Sequence, residues 1–178
     1  MELRDGRIVL RPPDDSDAAW VVEACRDGEN QRWLPMLPQP YERGDAEWWI
    51  GRCKAVWADG SAAPFIVLDA ASGDRLGTIE VRFAVPADVG YWLAPAGRGR
   101  GVMTCALRRL MRYAFDERGL AQVELFTLLD NVRSQAVAER VGFHRVGIVP
   151  RKIESRDGDR HDALRFVLDD APFDSRDE

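Results

Sequence analysis

The sequence has little of what builds metal centres, disulfide frameworks or membrane spans. Histidine occurs twice in 178 residues and cysteine three times, and no Cys-x-x-Cys spacing is present, so no metal site is expected. Cys25, Cys53 and Cys105 are scattered, each within a helical pattern. An odd set without paired spacing predicts reduced core thiols and a cytoplasmic location. No uninterrupted apolar run approaches membrane-spanning length, and Met1-Glu2-Leu3-Arg4-Asp5 lacks the apolar region of a signal peptide. Neither an internal repeat nor a linker or low-complexity segment interrupts the chain. The formal net charge of −5 makes nucleic acid a poor partner. It is more compatible with a cationic substrate such as an amine.

What is present suits one globular domain over residues 1–170, followed by a polar tail at 171–178. Apolar residues make up 46% of the chain and charged residues 31%, a globular balance. Residues 7–11 alternate and stop at Pro12-Pro13, as a first strand does. Asp14-Asp15-Ser16-Asp17 then opens a helix carrying Trp20, Val21, Ala24 and Cys25. Residues 33–41 form a loop with three prolines and unusual apolar content: Trp33, Leu34, Met36, Leu37 and Tyr41. Such a loop either packs over the core or walls a pocket. A second helix spans 44–60, with Ala46, Trp49, Ile50, Cys53 and Val56 at three-four spacing. Strands follow at 64–69 and 76–83, joined by the turn Ala71-Ser72-Gly73-Asp74. Further strands are expected at 89–93, 122–128, 143–153 and 162–168, and further helices near 103–118 and 131–141.

The most informative stretch is Arg98-Gly99-Arg100-Gly101-Val102-Met103-Thr104. It lies between an apolar strand and a helix whose Met103, Ala106, Leu107, Leu110, Tyr113 and Ala114 share a face. Glycine permits close backbone approach, and the first amides of a helix lack intrahelical partners. Together they can cradle a phosphate from backbone alone, with Arg98 and Arg100 adding charge. The alternative is a tight turn beside two solvated arginines. Neither a P-loop lysine nor the third glycine of a dinucleotide fingerprint is present.

In this element order the chain resembles the GNAT superfamily of N-acetyltransferases, over roughly residues 6 to 169. Three blocks carry the resemblance. Arg98-x-x-Gly101-x-Met103 is similar to that family's pyrophosphate loop, with Met103 in place of the usual small residue. Asn131-x-x-Ser134-x-x-Val137-x-Glu139-Arg140-x-Gly142-Phe143 is similar to the segment after its fifth strand. Arg7-Ile8-Val9-Leu10-Arg11-Pro12, with Trp33-Leu34-Pro35 and Pro40-Tyr41, looks like the RimJ/RimL branch.

The resemblance implies an α+β fold with a central, mostly antiparallel mixed sheet of about seven strands, flanked by about four helices. The fourth and fifth strands, 89–93 and 122–128, should splay apart. It implies acetyl-CoA or another acyl-CoA as co-substrate, with no metal. Backbone at Trp92 and Leu93 would pair with the pantetheine arm. The loop of Arg98, Gly99, Arg100, Gly101, Val102, Met103 and Thr104 would bind the cofactor, with pyrophosphate on the amides of Arg100 to Thr104 and the Met103 side chain turned into the core. Asn131 would bond the pantetheine arm and Ser134 would face the thioester. On local grounds alone, Asn131 is a helix N-cap and Ser134 a first-turn residue.

The implied reaction is direct attack of a primary amine on the thioester. Many members use a tyrosine four residues before the glycine of Gly-Phe to protonate the leaving thiolate; here that position is Ala138. Ser134 is the nearest remaining donor. Glu80 is the first candidate base, with Glu124 and His144 behind it; each carboxylate is otherwise an outward strand charge. Trp33, Tyr41 and Glu80 are the expected acceptor-binding residues. The partner is an amine acceptor, a protein N-terminus or a small molecule, with a homodimer as an option and no nucleic acid or membrane. Two other functions remain open: an acetyltransferase for amino sugars, polyamines or antibiotics, and a CoA-binding regulatory module without chemistry.

Overall fold

The computed structural model describes residues 1–170; the expected tail at 171–178 lies outside the described residues. One sheet of eight strands runs in the order β1-β2-β3-β4-β5-β6-β8-β7. The strands are β1 (Leu3–Asp5), β2 (Ile8–Arg11), β3 (Ala62–Asp69), β4 (Arg75–Arg82), β5 (Asp88–Leu93), β6 (Gln122–Leu128), β7 (His144–Glu154) and β8 (Arg160–Asp169). Every neighbouring pair is antiparallel except β5 and β6. The helices are α1 (Ala18–Arg26), α2 (Gly28–Trp33), α3 (Arg43–Asp59), α4 (Val102–Arg112) and α5 (Val132–Val141).

Two elements exceed the expected count, and both are too short to show periodicity. Strand β1 folds back on β2 through Gly6, placing buried Leu3 opposite Leu10. Helix α2 has six residues. It exists because the Asp27 carboxylate accepts from the amides of Glu29 and Asn30, while Asn30 Nδ2 donates to Ala24 O at 2.9 Å.

Helix α4 fixes the layer order. Its Met103, Ala106, Leu107, Leu110 and Met111 are buried against Leu76, Ile79 and Val81 of β4 and Val89 of β5 in one apolar cluster. Met103 therefore does turn inward, as the three-four spacing requires. Beyond α4 the chain widens into a π turn at Tyr113–Glu117, and Gly119 leaves it with φ +65°. At the start of α1, buried Asp17 pairs with Arg11 of β2 and Arg75 of β4, each at 2.6 Å, anchoring that helix to the sheet.

Strand β5 lies close on β4. A Cβ built on Gly77 would stand 2.4 Å from Trp92 O and 3.1 Å from Leu93 Cα, both backbone atoms. Gly77→Ala is expected to push β5 outward at a cost of about 1–3 kcal/mol. That lowers Tm by roughly 2–12 °C in calorimetry. An unchanged Tm would mean that β5 shifts freely.

Candidate active site

Strands β5 and β6 pair at only two positions, Asp88↔Glu124 and Val89↔Leu125. Beyond them the strands part. Residues Gly90, Tyr91, Trp92 and Leu93 on one side and Phe126, Thr127 and Leu128 on the other line a single cleft of about 1580 Å³.

One end of the cleft is the glycine loop. Gly99 and Gly101 both have φ +73°, a left-handed conformation that side chains resist. Gly101 is the N-cap of α4, and Cys105 N closes the first turn by donating to Gly101 O at 3.1 Å. The amides of Val102, Met103 and Thr104 are thus left at the helix start, where the dipole is positive. This is backbone suited to an anionic group.

The arginines beside it do not serve as expected. Arg98 lies in the cleft wall, but its guanidinium folds back onto Asp27, Glu29 and Leu93 O. Arg100 is absent from the lining: it reaches Asp69 at 3.0 Å and Ala96 O at 3.2 Å, away from the cleft. Carboxylates 71 and 31 residues away in sequence claim the two charges.

The opposite wall is the start of α5. Asn131 caps this helix, its Oδ1 accepting from Ser134 N at 3.2 Å, and both residues line the cleft. The local capping pattern and the cleft position thus hold together. Ser134 has a partner that the sequence did not suggest. The Tyr91 hydroxyl of β5 lies 3.1 Å from both Ser134 Oγ and Ser134 O. Burial pushes the Tyr91 phenol up to about 12, although its hydrogen bond to Ser134 pulls the other way. The only sequence signal for Tyr91 was strand alternation, which puts Val89, Tyr91 and Leu93 on one face.

The third wall is aromatic. Trp33 at the end of α2, Met36 and Leu37 of the loop that follows, and Trp48 and Trp49 of α3 line the far end. The loop is held by Arg156 in the β7–β8 turn. Its amide donates to Pro35 O at 2.9 Å, and its guanidinium donates to Leu37 O at 3.2 Å and Gln39 Oε1 at 2.7 Å. Tyr41 does not belong to this wall. It is 4% exposed and packs with Ala18, Val21, Cys25, Ala46 and Ile50 between α1 and α3.

Glu80 lines the cleft beside this wall, and both of its oxygens accept from Arg52, at 2.7 and 3.1 Å. The fallback bases lie elsewhere: Glu124 is buried in an ion pair with Arg165, and His144 is exposed on β7. Seven arginines, Arg7, Arg52, Arg82, Arg98, Arg108, Arg133 and Arg140, line the cleft with two glutamates, Glu29 and Glu80. The acidity of the whole chain is therefore not the character of its cleft. Cys105, expected as a core thiol, is half-buried in the cleft wall.

Residues 7–144 match the family model described as an acetyltransferase (GNAT) domain. The chain belongs to the GNAT acetyltransferase family. Two Bacillus subtilis (strain 168) proteins with provisional names are similar to it. Ribosomal N-acetyltransferase YdaF is 40% identical over 72 residues, 40% of this chain and 36% of that protein. N-acetyltransferase YjcK is 39% identical over 90 residues, 47% of this chain and 50% of that protein. The aligned stretch thus spans half or less of the length of these curated relatives. Among solved structures, Mycobacterium smegmatis RimJ in complex with CoA-disulfide is similar over 96% of this chain and 86% of that one. Its TM-score is 0.82 at 25% identity.

A side chain added at Gly101 has no neighbour within 4 Å, because the cleft lies there. Gly101→Asp is expected to abolish coenzyme A binding in calorimetry, by placing a carboxylate where the helix amides would meet phosphate. Unchanged affinity in a folded variant would remove this loop from the binding site.

Proposed function

We propose that this GNAT protein transfers an acetyl group from acetyl-CoA to the α-amine of a peptide or protein N-terminus. The observation that carries the proposal is the continuous cleft: helix amides at one end, Ser134 in the wall between, and an aromatic chamber at the other. YdaF is named a ribosomal N-acetyltransferase and the RimJ structure holds CoA-disulfide, which supports transfer from a coenzyme A thioester to a protein acceptor.

The acceptor class follows from charge. Both glutamates in the cleft already have arginine partners: Glu80 with Arg52, and Glu29 with Arg98 and Arg133. A polyamine or amino sugar needs several uncompensated carboxylates, and this lining is dominated by arginine. A peptide terminus brings one amine, carbonyl oxygens for Arg52 and an apolar side chain for Trp33, Trp48 and Trp49. An α-amine has a pKa near 8, so an appreciable fraction is already neutral near pH 7.5. Glu80, neutralised by Arg52, then offers the amine a fixed hydrogen-bond acceptor, and the amine proton passes to water. Ser134 donates a hydrogen bond to the departing thiolate, whose ordinary pKa near 8.5 demands only modest help. Trp92 and Leu93 border the pantetheine path, and Asn131 borders it from α5.

The test is mass spectrometry of products from acetyl-CoA with free-terminus peptides, blocked peptides, polyamines and aminoglycosides. Acetylation confined to free α-amines is expected. Acetylation of the small polycations alone would overturn the acceptor class, and binding of CoA without any product would favour a regulatory module. Ser134→Ala should lower kcat by about ten- to a hundredfold, at or below the low end of the range for general acids because the serine only donates a hydrogen bond, with CoA affinity nearly unchanged. Arg156→Ala releases the loop that carries Met36 and Leu37. It should raise the acceptor KM severalfold and leave the acetyl-CoA KM unaltered in steady-state kinetics; equal effects on both would mean that the loop does not serve the acceptor.

A further inference from the structure

Tyr91 is a polar residue in the cleft wall to which the reaction outlined above gives no work. It lies in the middle of β5, where the two strands have parted, and its ring packs against the main apolar cluster. Its hydroxyl meets α5 at one residue only, and at both oxygens of that residue: Ser134 O at 3.1 Å and Ser134 Oγ at 3.1 Å. A phenol has one proton, and a serine hydroxyl has one. A carbonyl can only accept. Two arrangements use the contact between the two hydroxyls.

In the first, Tyr91 donates to the Ser134 carbonyl, and the Ser134 hydroxyl donates to the phenol oxygen. The serine proton is then used inside the wall. In the second, Tyr91 donates to Ser134 Oγ, and the serine proton turns outward into the cleft. Only the second occupies the phenol proton on Ser134 Oγ, which bars inward donation by the serine and leaves its proton for a sulfur. Donation from Tyr91 also polarises the serine hydroxyl and strengthens the bond it makes outward.

We propose that Tyr91 is a positioning residue that directs the Ser134 hydroxyl into the cleft, switching its own donation from Ser134 O to Ser134 Oγ as the thiolate forms. The inference rests on the acyl-transfer reading. The bonds balance without a proton passing through tyrosine. The amine nitrogen bonds to the carbonyl carbon, the carbon–sulfur bond breaks, and its electron pair stays on sulfur. The amine proton leaves to water. Ser134 and Tyr91 keep their own protons and change only the direction in which they point. Burial suits this work, because a phenol pushed up to about 12 stays neutral and keeps its proton through the working pH range. A tyrosine hydroxyl thus reaches the α5 wall from β5, one hydrogen bond behind the serine.

The test is a double-mutant cycle on the full chain with acetyl-CoA and a peptide bearing a free N-terminal α-amine. Tyr91→Phe keeps the ring and removes one neutral hydrogen bond, so kcat should fall about five- to tenfold, with both KM values and the Tm close to the parent. In the Ser134→Ala background the same change should alter kcat by less than about twofold, because the group being directed is gone. Equal losses in both backgrounds, or losses accompanied by a raised CoA KM and lowered Tm, would show that Tyr91 only supports the wall and would overturn the proposal. A silent Tyr91→Phe beside an impaired Ser134→Ala would overturn it while leaving Ser134 in its role. A silent Ser134→Ala would overturn the role of the serine and this inference together. Absence of product from the unmodified protein with every acceptor would overturn the acyl-transfer reading itself.

Discussion

The parting of β5 and β6 is the constraint on which the rest of this molecule depends. Each strand is fully engaged on its other side: β5 pairs with β4 from Asp88 to Leu93, and β6 with β8 from Gln122 to Leu128. The two strands can therefore separate without unravelling the sheet. They meet at two residue pairs, and the bond from Glu124 N to Ala87 O at 2.8 Å closes the apex. Above the apex, the facing edges carry backbone groups that a globular interior does not leave unpaired without a ligand or water. The glycine loop and the start of α5 stand on either side of that opening because they follow β5 and β6 directly in the chain. The wedge thus creates the cleft and brings both of its functional walls to it.

The legible part of this arrangement is the part written over short range. The Gly99 and Gly101 pair, the inward face of α4 and the Asn131 cap are all set within a few residues, and the structure contains each. Ser134 and Asn131 meet across three residues, so spacing was enough to place them together. Tyr41 was not legible in this way. An aromatic residue at the end of a proline-rich loop reads alike whether it faces a cleft or a core, and α1 with α3 decides it by surrounding the ring. Nor were the partners of the charges. Arg52 finds Glu80 across 28 residues and Arg100 finds Asp69 across 31, and the sequence shows a charge without showing what neutralises it. Tyr91 belongs to the same class, with its partner 43 residues on. Periodicity marks a face, whereas a hydrogen bond between elements needs the topology first.

Charge gives the clearest case of a global property failing to describe a local one. The chain carries −5 overall, yet its cleft is lined by arginine. Much of that arginine is already matched. Arg82 pairs with Asp88 at 2.5 Å, Arg52 with Glu80, and Arg133 with Glu29 at 2.7 Å. Such pairs at a partly wet surface contribute little to stability, about 0–1 kcal/mol each. Their larger effect is on position: each holds a guanidinium plane in one orientation and reduces the net charge of the wall. A wall of this kind binds carbonyl oxygens and phosphates with geometry and has little attraction for a polycation.

Arg98 extends that argument from one wall to the whole cleft. It leaves the chain inside the glycine loop, donates to Leu93 O at 3.0 Å, and ends on Asp27 and Glu29. Asp27 is also the cap of α2, whose last residue, Trp33, stands in the aromatic chamber. Removing this guanidinium would leave the Asp27 carboxylate with only the two α2 amides, Glu29 with only Arg133, and the Leu93 carbonyl without its donor. The glycine loop and helix α2 are therefore fastened to one side chain. A shift of either end is transmitted to the other through rigid, partly buried bonds rather than through solvent. Arg98 thus acts as a tie between the glycine loop and α2, with its charge matched by Asp27 and Glu29.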